Sequence, residues 1–539
     1  MSSSPSPSSS SRWTSCLILL QVLNLAIAAT QSADHVTEDH RYWLDLGRED
    51  ILRALSEQRN TGIAKNVILF VGDGMGLSTV TAARIYGKTE RGRLAFENFP
   101  NIGTLKTYSA DKIVPDSCST ATALFSGIKA NQKTSGVDYR VVVDDCEASL
   151  KPENTIDSMF VWAKEAGKST GFVTTTRVTH ATPSALYAHT SNRNWECEDK
   201  IPKNAAACKD IARQLVEDLP GRDINVIMGG GRQNLQSNVV GSDADPIDPW
   251  SCYSKDGRDL IADWTADKNV RNFKHRVVQN NEELAGVDHS EEFLLGVFAN
   301  GHLKMEHERD QGPKGMPSLR NMTEAAIKNL MKNPDGFLLM VEGGLIDFAH
   351  HRGHAKQALS ETMAFNDAIE RALELTKAKA SETLIIVTSD HSHPLVISGY
   401  ADRSVPITGI AQNSKFDGVP YTTLLYGTGG PDNYKFFVNQ SSVARENPAL
   451  VNTDDINYAQ QAAILTDEVA HEGSDVLVYA TGPMAHLFHS VHEQTYVAHV
   501  ISYASGIGPQ SGRNDGHRSS ISHHVIAAVL LIPLWSLTG

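Results

Sequence analysis

Five apolar runs, each broken off by glycine, a polar loop or an acidic residue, set the fold this chain can adopt. They are Asn66-Val-Ile-Leu-Phe-Val before Gly72-Asp-Gly-Met-Gly, Ser169-Thr-Gly-Phe-Val-Thr-Thr, Ile224-Asn-Val-Ile-Met before Gly229-Gly-Gly, Phe337-Leu-Leu-Met-Val before Glu342, and Thr383-Leu-Ile-Ile-Val-Thr ahead of Asp390. None alternates apolar with polar residues, so each reads as a strand covered on both faces rather than one half-exposed to water. Helical periods lie between them, as at 355–379, where Leu359, Met363, Ala364 and Ile369 recur at helical spacing. This pattern predicts an α/β fold: a central, mostly parallel sheet sandwiched by helices. In such sheets ligands collect at the carboxyl ends of the strands, which is where the polar residues of this chain are stationed. Residues 399–467 break the pattern. They are rich in Gly, Pro, Asn and Tyr and lack long helical periods, so they read as an insertion.

The two ends of the chain read as processing signals. Arg12 precedes the apolar run from Cys16, with small residues at Ala26 and Ala28, the layout of a secretory signal peptide over 1–28; a buried core helix is the alternative. From Val525 a terminal apolar segment follows a polar spacer and the small residues Asn514, Asp515 and Gly516. That order matches a GPI-anchor signal, with Asn514 as the attachment residue, Ser511 as its alternative, and 515–539 removed; a tail-anchored helix is the rival reading. Residues 29–514 then form the mature domain, placed on the outer face of the cell membrane. Asn321-Met-Thr and Asn439-Gln-Ser are glycosylation acceptors that fit an exported surface. Without Cys16 the mature chain keeps Cys118, Cys146, Cys197, Cys208 and Cys252, so an oxidising compartment allows at most two bridges and leaves a thiol over. A formal net charge of -14 argues against nucleic acid as a partner, since backbone phosphates need concentrated Lys and Arg.

Chemistry-bearing residues cluster at the predicted strand ends. Asp73 stands between glycines that let the backbone approach closely. Glu342 ends one run; Asp347 and His351 follow at i, i+4, on one side of a helix, where two side chains share a metal. Asp390, His391 and His393 end another run, and His471 stands in Ala-His-Glu-Gly. Mixed carboxylate and imidazole donors suit zinc, whereas an all-oxygen set suits magnesium, so the sequence proposes a multinuclear metal site. Ser117, in Val114-Pro-Asp-Ser-Cys-Ser-Thr, precedes an Ala/Thr-rich segment that reads as a helix. A helix N-terminus there favours an arriving phosphate, but Asp116 and Ser117 are equally good helix caps, and spacing leaves both readings open.

Taken in order, Asp73-Gly-Met-Gly, Pro115-Asp-Ser117, Thr174-Thr-Thr-Arg-Val-Thr-His180-Ala-Thr182-Pro, Asn192-Arg193-Asn-Trp, Gly229-Gly-Gly-Arg, Val341-Glu342-Gly-Gly-Leu-Ile-Asp347, Asp390-His391-Ser-His393 and His471-Glu-Gly resemble the alkaline phosphatase family from about residue 40 to 505, above all its animal, membrane-anchored branch. The resemblance implies hydrolysis of small-molecule phosphate monoesters through a phosphoserine on Ser117, with two Zn²⁺ and one Mg²⁺ per subunit. It implies one zinc on Asp347, His351 and His471, a second on Asp73, Asp390, His391 and Ser117, and magnesium on Asp73, Thr182 and Glu342. Arg193 becomes the phosphate clamp, and His180 and His393 lie outside the ligands. The cation charge then exceeds that of the four carboxylates, which explains how an acidic protein accepts an acidic substrate. The resemblance also implies that Cys146 pairs with Cys208, leaving Cys197 with Cys252, that 399–467 is a crown-like insertion, and that the chain forms a homodimer.

The chain departs from that family at several points. Cys118-Ser follows Ser117 where Ala-Gly is common, and Cys118 reads as a free, partly buried thiol. Phe348 replaces a polar residue after Asp347. Phe298-Ala299 and Met316-Pro317 stand where mammalian members hold calcium through acidic residues, so that site is expected to be lost.

Overall fold

The computed structural model describes residues 38–439 and 442–513. The signal-like segment over 1–28, the C-terminal apolar segment and the proposed attachment residue Asn514 lie outside these residues. The described chain divides into two units, one ending at Gln58 and one beginning at Arg59. In the first, His40–Ser56 is a helix whose N-cap Asp39 accepts a hydrogen bond from the Tyr42 amide. Among the described residues no helix is long and apolar enough to cross a membrane.

In the second unit, ten strands form one sheet: β1 (Asn66–Gly72), β2 (Asn101–Lys106), β3 (Ser169–Arg177), β4 (Val226–Gly230), β5 (His275–Val278), β6 (Phe293–Val297), β7 (Phe337–Gly343), β8 (Thr383–Ser389) and two later strands, Val476–Thr481 and Ser490–Glu493. From Ser490–Glu493 the order runs β2, Val476–Thr481, β8, β1, β7, β3, β4, β6, β5. Every neighbouring pair is parallel except the two that Val476–Thr481 makes with β2 and β8. The expected α/β architecture is therefore present, and all five apolar runs are strands of this sheet.

Burial on both faces explains why those runs do not alternate. In β1, Val67, Leu69 and Val71 pack into a core with Leu124, Phe160 and Ile501, whereas Ile68 and Phe70 pack on the opposite face with Ile327, Phe365 and Ile369. The second face is covered by the helices Leu319–Leu330 and Ala355–Thr376, and Phe70 meets Phe365 edge-on at 5.8 Å. The insertion holds short strands in three small sheets, built on Leu424–Gly429, Ile410–Asn413 and Phe436–Asn439, apart from the large one. Asn321 is exposed in the first turn of its helix, although Met322 and Thr323 beside it are buried. Asn439 ends a strand next to residues outside the described set.

Glu361, on the Ala355–Thr376 helix, is a buried carboxyl that accepts the Glu306 amide at 2.6 Å. Burial raises its pKa to about 8. A group raised above its unfolded value stabilises fully below that value and loses the contribution as pH climbs to the folded value. Glu361→Gln keeps the acceptor but cannot ionise. Its stability relative to wild type should therefore grow between pH 5 and 8, reaching on the order of a few kcal/mol, and then level off. Denaturant unfolding across that range checks this; a constant difference would refute it.

Candidate active site

Strand register brings the acids together. Gly72 of β1 pairs with Gly343 of β7 on one side and with Ser389 of β8 on the other, and Val71 pairs with Glu342. Asp73 and Asp390, each one residue past a paired position, thus emerge side by side. Thr174 of β3 pairs with Glu342 from the far side of β7. Asp347 and His351 follow β7 on the helix Leu345–His351, with His351 Nε2 3.2 Å from Asp347 Oδ2.

Three groups of donors result. Asp73, Asp390 and His391 form one, Asp347, His351, His393 and His471 another, and Asp73, His180 and Glu342 a third, each with its ligand atoms within 4.8 Å of one another. In the second group His351 Nδ1 lies 2.8 Å from the Val469 carbonyl and His471 Nδ1 2.9 Å from that of Pro115. Carbonyls only accept, so both Nδ1 atoms carry protons, and the two Nε2 atoms face each other at 3.0 Å. A proton or a cation must lie between them and Asp347. His393 also touches Asp347, Nε2 to Oδ1 at 2.5 Å, and its ring stacks on that of His350, which is held between Thr79 Oγ1 and the Tyr426 hydroxyl of the insertion.

The first group centres on the serine. Asp116, not Ser117, caps the helix Ser117–Ser126: its carboxylate accepts the Ser119 amide at 3.2 Å. The Ser117 hydroxyl is left free of capping and lies 3.2 Å from His391 Nε2. That nitrogen is 3.4 Å from Asp73 and 3.3 Å from Asp390, whose other oxygen accepts the Gly74 and His391 amides. The second Asp116 oxygen pairs with Arg193 Nη1 at 3.1 Å, so one carboxylate both ends the helix and aims the guanidinium. Burial opposes ionisation of Asp116, but Arg193 overrides it and holds the carboxyl below its ordinary pKa.

In the third group Glu342 Oε2 accepts from Thr174 Oγ1 and, at 3.2 Å, from Thr176 Oγ1. Both oxygens of Asp73, Glu342 Oε1 and Thr182 Oγ1 are buried and make no hydrogen bond within the protein. Such orphans are rare in folded proteins unless something else supplies the partner, and here they converge with carboxylates whose mutual repulsion calls for positive charge. Burial, then Asp347, Asp390 and Glu342, raise Asp73 well above its usual pKa; burial also raises Glu342 to about 7 and Asp390 to about 6. His391 and His471, lowered mainly by burial to about 4 and about 3, are neutral and ready to donate lone pairs. The donor set fits divalent cations. The resemblance puts Thr182 in the third group and His180 outside it, whereas here a His180 ring nitrogen lies within reach of the same point as Asp73 and Glu342.

Sequence reasoning missed Asp116 as the anchor of Arg193 and Thr174 and Thr176 as the holders of Glu342. The only signal for the threonines was their crowding at the end of β3. The cysteines join as Cys146–Cys208 and Cys197–Cys252, with Cα separations of 5.9 and 5.8 Å. Cys118 is free but wholly rather than partly buried, because the helix turns it away from Ser117 into the packing against Ala181 and Ser184. Burial pushes its thiol up to about 12. Native protein at pH 8 should therefore resist iodoacetamide at Cys118 over hours and label there only after unfolding, as mapped by mass spectrometry; rapid native labelling of Cys118 would contradict this burial. Phe348 lies 5.3 Å from the His302 ring, with the Arg352 guanidinium 4.1 Å from its face. Phe298, Ala299 and Met316 are buried in the apolar core.

Fold and site together define an α/β protein that gathers a carboxylate–imidazole cluster, suited to several divalent cations, around a serine at a helix start. The alkaline phosphatase family model matches residues 64–507, and the chain belongs to that family. It is 43% identical over 505 residues to the tissue-nonspecific alkaline phosphatase of Gallus gallus, covering 92% of this chain and 94% of that one. It is 44% identical over 480 residues to the alkaline phosphatase of Gadus morhua, covering 87% and 97%. Among solved structures, the alkaline phosphatase of Thermus thermophilus shares the fold with a TM-score of 0.59 at 24% identity, covering 85% of this chain and 94% of that one. That of the Antarctic bacterium TAB5 gives 0.56 at 24% identity, covering 83% and 99%. The chain is thus a phosphatase, a hydrolase of phosphate monoesters with candidate metal-binding clusters at its centre.

Proposed function

We propose that this phosphatase works through a phosphoserine formed on Ser117, with two Zn²⁺ and one Mg²⁺ held by the three donor groups. The observation that carries this reading is the free Ser117 hydroxyl at the first position of its helix, 3.2 Å from His391 and next to Asp73 and Asp390. Asp347, His351 and His471 suit one zinc, Asp73, Asp390 and His391 the other, and Asp73, Thr182 and Glu342 the magnesium. Bound there, the cations supply Lewis acidity that eases ionisation of the serine hydroxyl and of water and offset charge on the leaving oxygen.

The chain's own residues do the rest. Arg193, aimed by Asp116, grips two phosphate oxygens through its planar fork, which a lysine could not match. The positive end of the Ser117–Ser126 helix faces the same phosphate. Ser117 Oγ displaces the alcohol in line, and water then displaces Ser117 from the opposite side, so two inversions give net retention at phosphorus. Assays of p-nitrophenyl phosphate hydrolysis against pH, with and without chelator, combined with metal analysis, test the reading. Activity that survives complete metal removal would overturn it.

The signal-like start, the C-terminal anchor pattern and the acceptors Asn321 and Asn439 support a glycosylated, GPI-anchored enzyme on the outer cell surface. Release of activity from cells by a phosphatidylinositol-specific phospholipase tests the anchor. Exposed Tyr400 and Phe416 in the insertion support a homodimer formed through that region.

A further inference from the structure

His302 lies outside every motif discussed above, yet its ring stands 5.1 Å from that of His180 and 5.3 Å from that of Phe348, which follows Asp347. Its Nε2 is 2.6 Å from Arg177 Nη1. Arg177 is itself buried and fixed by Glu196, at 2.9 Å from Nε and 2.8 Å from Nη2, and by Asp248, at 3.0 Å from Nη1. A guanidinium only donates, so His302 Nε2 must accept, and the proton of the neutral ring sits on Nδ1. Burial and the Arg177 charge keep that ring neutral. Nδ1 is buried and has no acceptor in the protein.

His180 repeats the arrangement. Arg193 Nη2 lies 3.3 Å from its Nε2, and its Nδ1 is also buried without a partner. Two neutral imidazoles, each locked into one tautomer by an arginine, therefore hold unused N–H donors; His180 is bonded to Arg193 itself, and His302, on Arg177, packs its ring against that of His180. Buried donors left without acceptors are costly, and an oxygen acceptor relieves both.

We propose that His302 binds the reaction's oxyanion side, its Nδ1–H donating to a phosphate oxygen of substrate and product or to a water on the cation held by Asp73, Thr182 and Glu342. The inference rests on the phosphate-monoesterase reading above. His302 is a positioning residue if the acceptor is that water and a binding residue if it is phosphate.

The test uses the metal-loaded, full-length enzyme with His302→Asn, whose side-chain N–H falls near the Nδ1 position, and His302→Phe, which keeps the volume without a donor. Inorganic phosphate binding is measured by titration calorimetry, and magnesium retention by equilibrium dialysis. His302→Phe should weaken phosphate about 10-fold while His302→Asn stays within about 3-fold. Persistence of that loss at saturating Mg²⁺ assigns the donor to phosphate; weakened magnesium retention, with phosphate affinity restored by excess Mg²⁺, assigns it to the water. His302→Leu replaces the phenylalanine variant if that one does not fold. Equal impairment of the Asn and Phe variants, or wild-type behaviour of the Phe variant in both measurements, overturns the inference. A wild-type enzyme that fails to bind phosphate would instead overturn the underlying reading.

Discussion

Ser117→Ala should lower kcat/KM toward p-nitrophenyl phosphate by about 10⁴-fold while leaving the fold intact. The size follows from removing the atom proposed to take the phosphoryl group, the hydroxyl that lies 3.2 Å from His391 Nε2. The intact fold follows from the cap: Asp116 ends the helix, and the serine side chain contributes nothing to it. Thermal unfolding of the loaded variant should therefore stay within about 1 kcal/mol of wild type. Acid quenching during turnover should trap phosphate on Ser117 in the wild type and nowhere in the variant. Asp116→Ala is the contrasting control, because it removes both the cap and the anchor of Arg193 and should cost stability and phosphate affinity together. A Ser117→Ala enzyme retaining full activity would end the phosphoserine reading.

Metal removal should abolish activity and make stability, relative to the loaded protein, fall with rising pH. Without cations, Asp73, Glu342 and Asp390 are buried carboxyls with raised pKa values, Glu342 near 7 and Asp390 near 6. Raised groups stabilise fully below their unfolded values and lose that contribution as pH climbs through their folded values. These three carboxyls therefore weaken metal-free relative to loaded protein from about pH 5 to 8, whereas the neutral His391 and His471 lose their contribution only as pH falls. Asp347 runs the other way. Burial opposes its charge, but His351 and His393 hold it well below its usual pKa, and in return Asp347 overcomes the burial of His351 and lifts it to about 9. That ion pair is lost in acid as Asp347 takes up a proton, and lost again in alkali as His351 gives up its own through about pH 9.

Cation binding must displace the protons of Asp73, Glu342, Asp390 and His351, so apparent metal affinity should rise steeply between pH 5 and 9 with measurable proton release. Calorimetry with and without chelator should show melting points separating by ~10 °C or more toward pH 8. Parallel curves across the whole range would contradict a buried, proton-loaded cluster. The same proton competition predicts that activity should rise toward alkaline pH.

The periodicity of the sequence was enough for the α/β class because burial on both faces leaves its mark residue by residue: Val67 to Val71 had to be apolar throughout. The edge strands were not legible. β2 alternates buried and exposed residues, and β5 is a short, half-buried strand, so neither stands out from loop. Single acids at the ends of apolar runs were visible, but their grouping was not, since it depends on β1 lying between β7 and β8. Strand order is fixed by contacts between residues more than 250 apart in sequence, such as Gly72 with Gly343 and Ser389, which no local pattern records.

The motifs of the sequence by themselves identified the family and pointed to the serine and the candidate ligands, because those residues sit in short segments whose order survives any rearrangement of loops. Only the tertiary structure decided what each neighbour does. It made Asp116 the cap and freed Ser117, buried Cys118 on the far side of the same helix, set His180 beside Asp73 and Glu342, and carried His302 up to Phe348. Those outcomes turn on which way a side chain points and which distant charge it meets, and folding sets both through packing rather than through spacing along the chain.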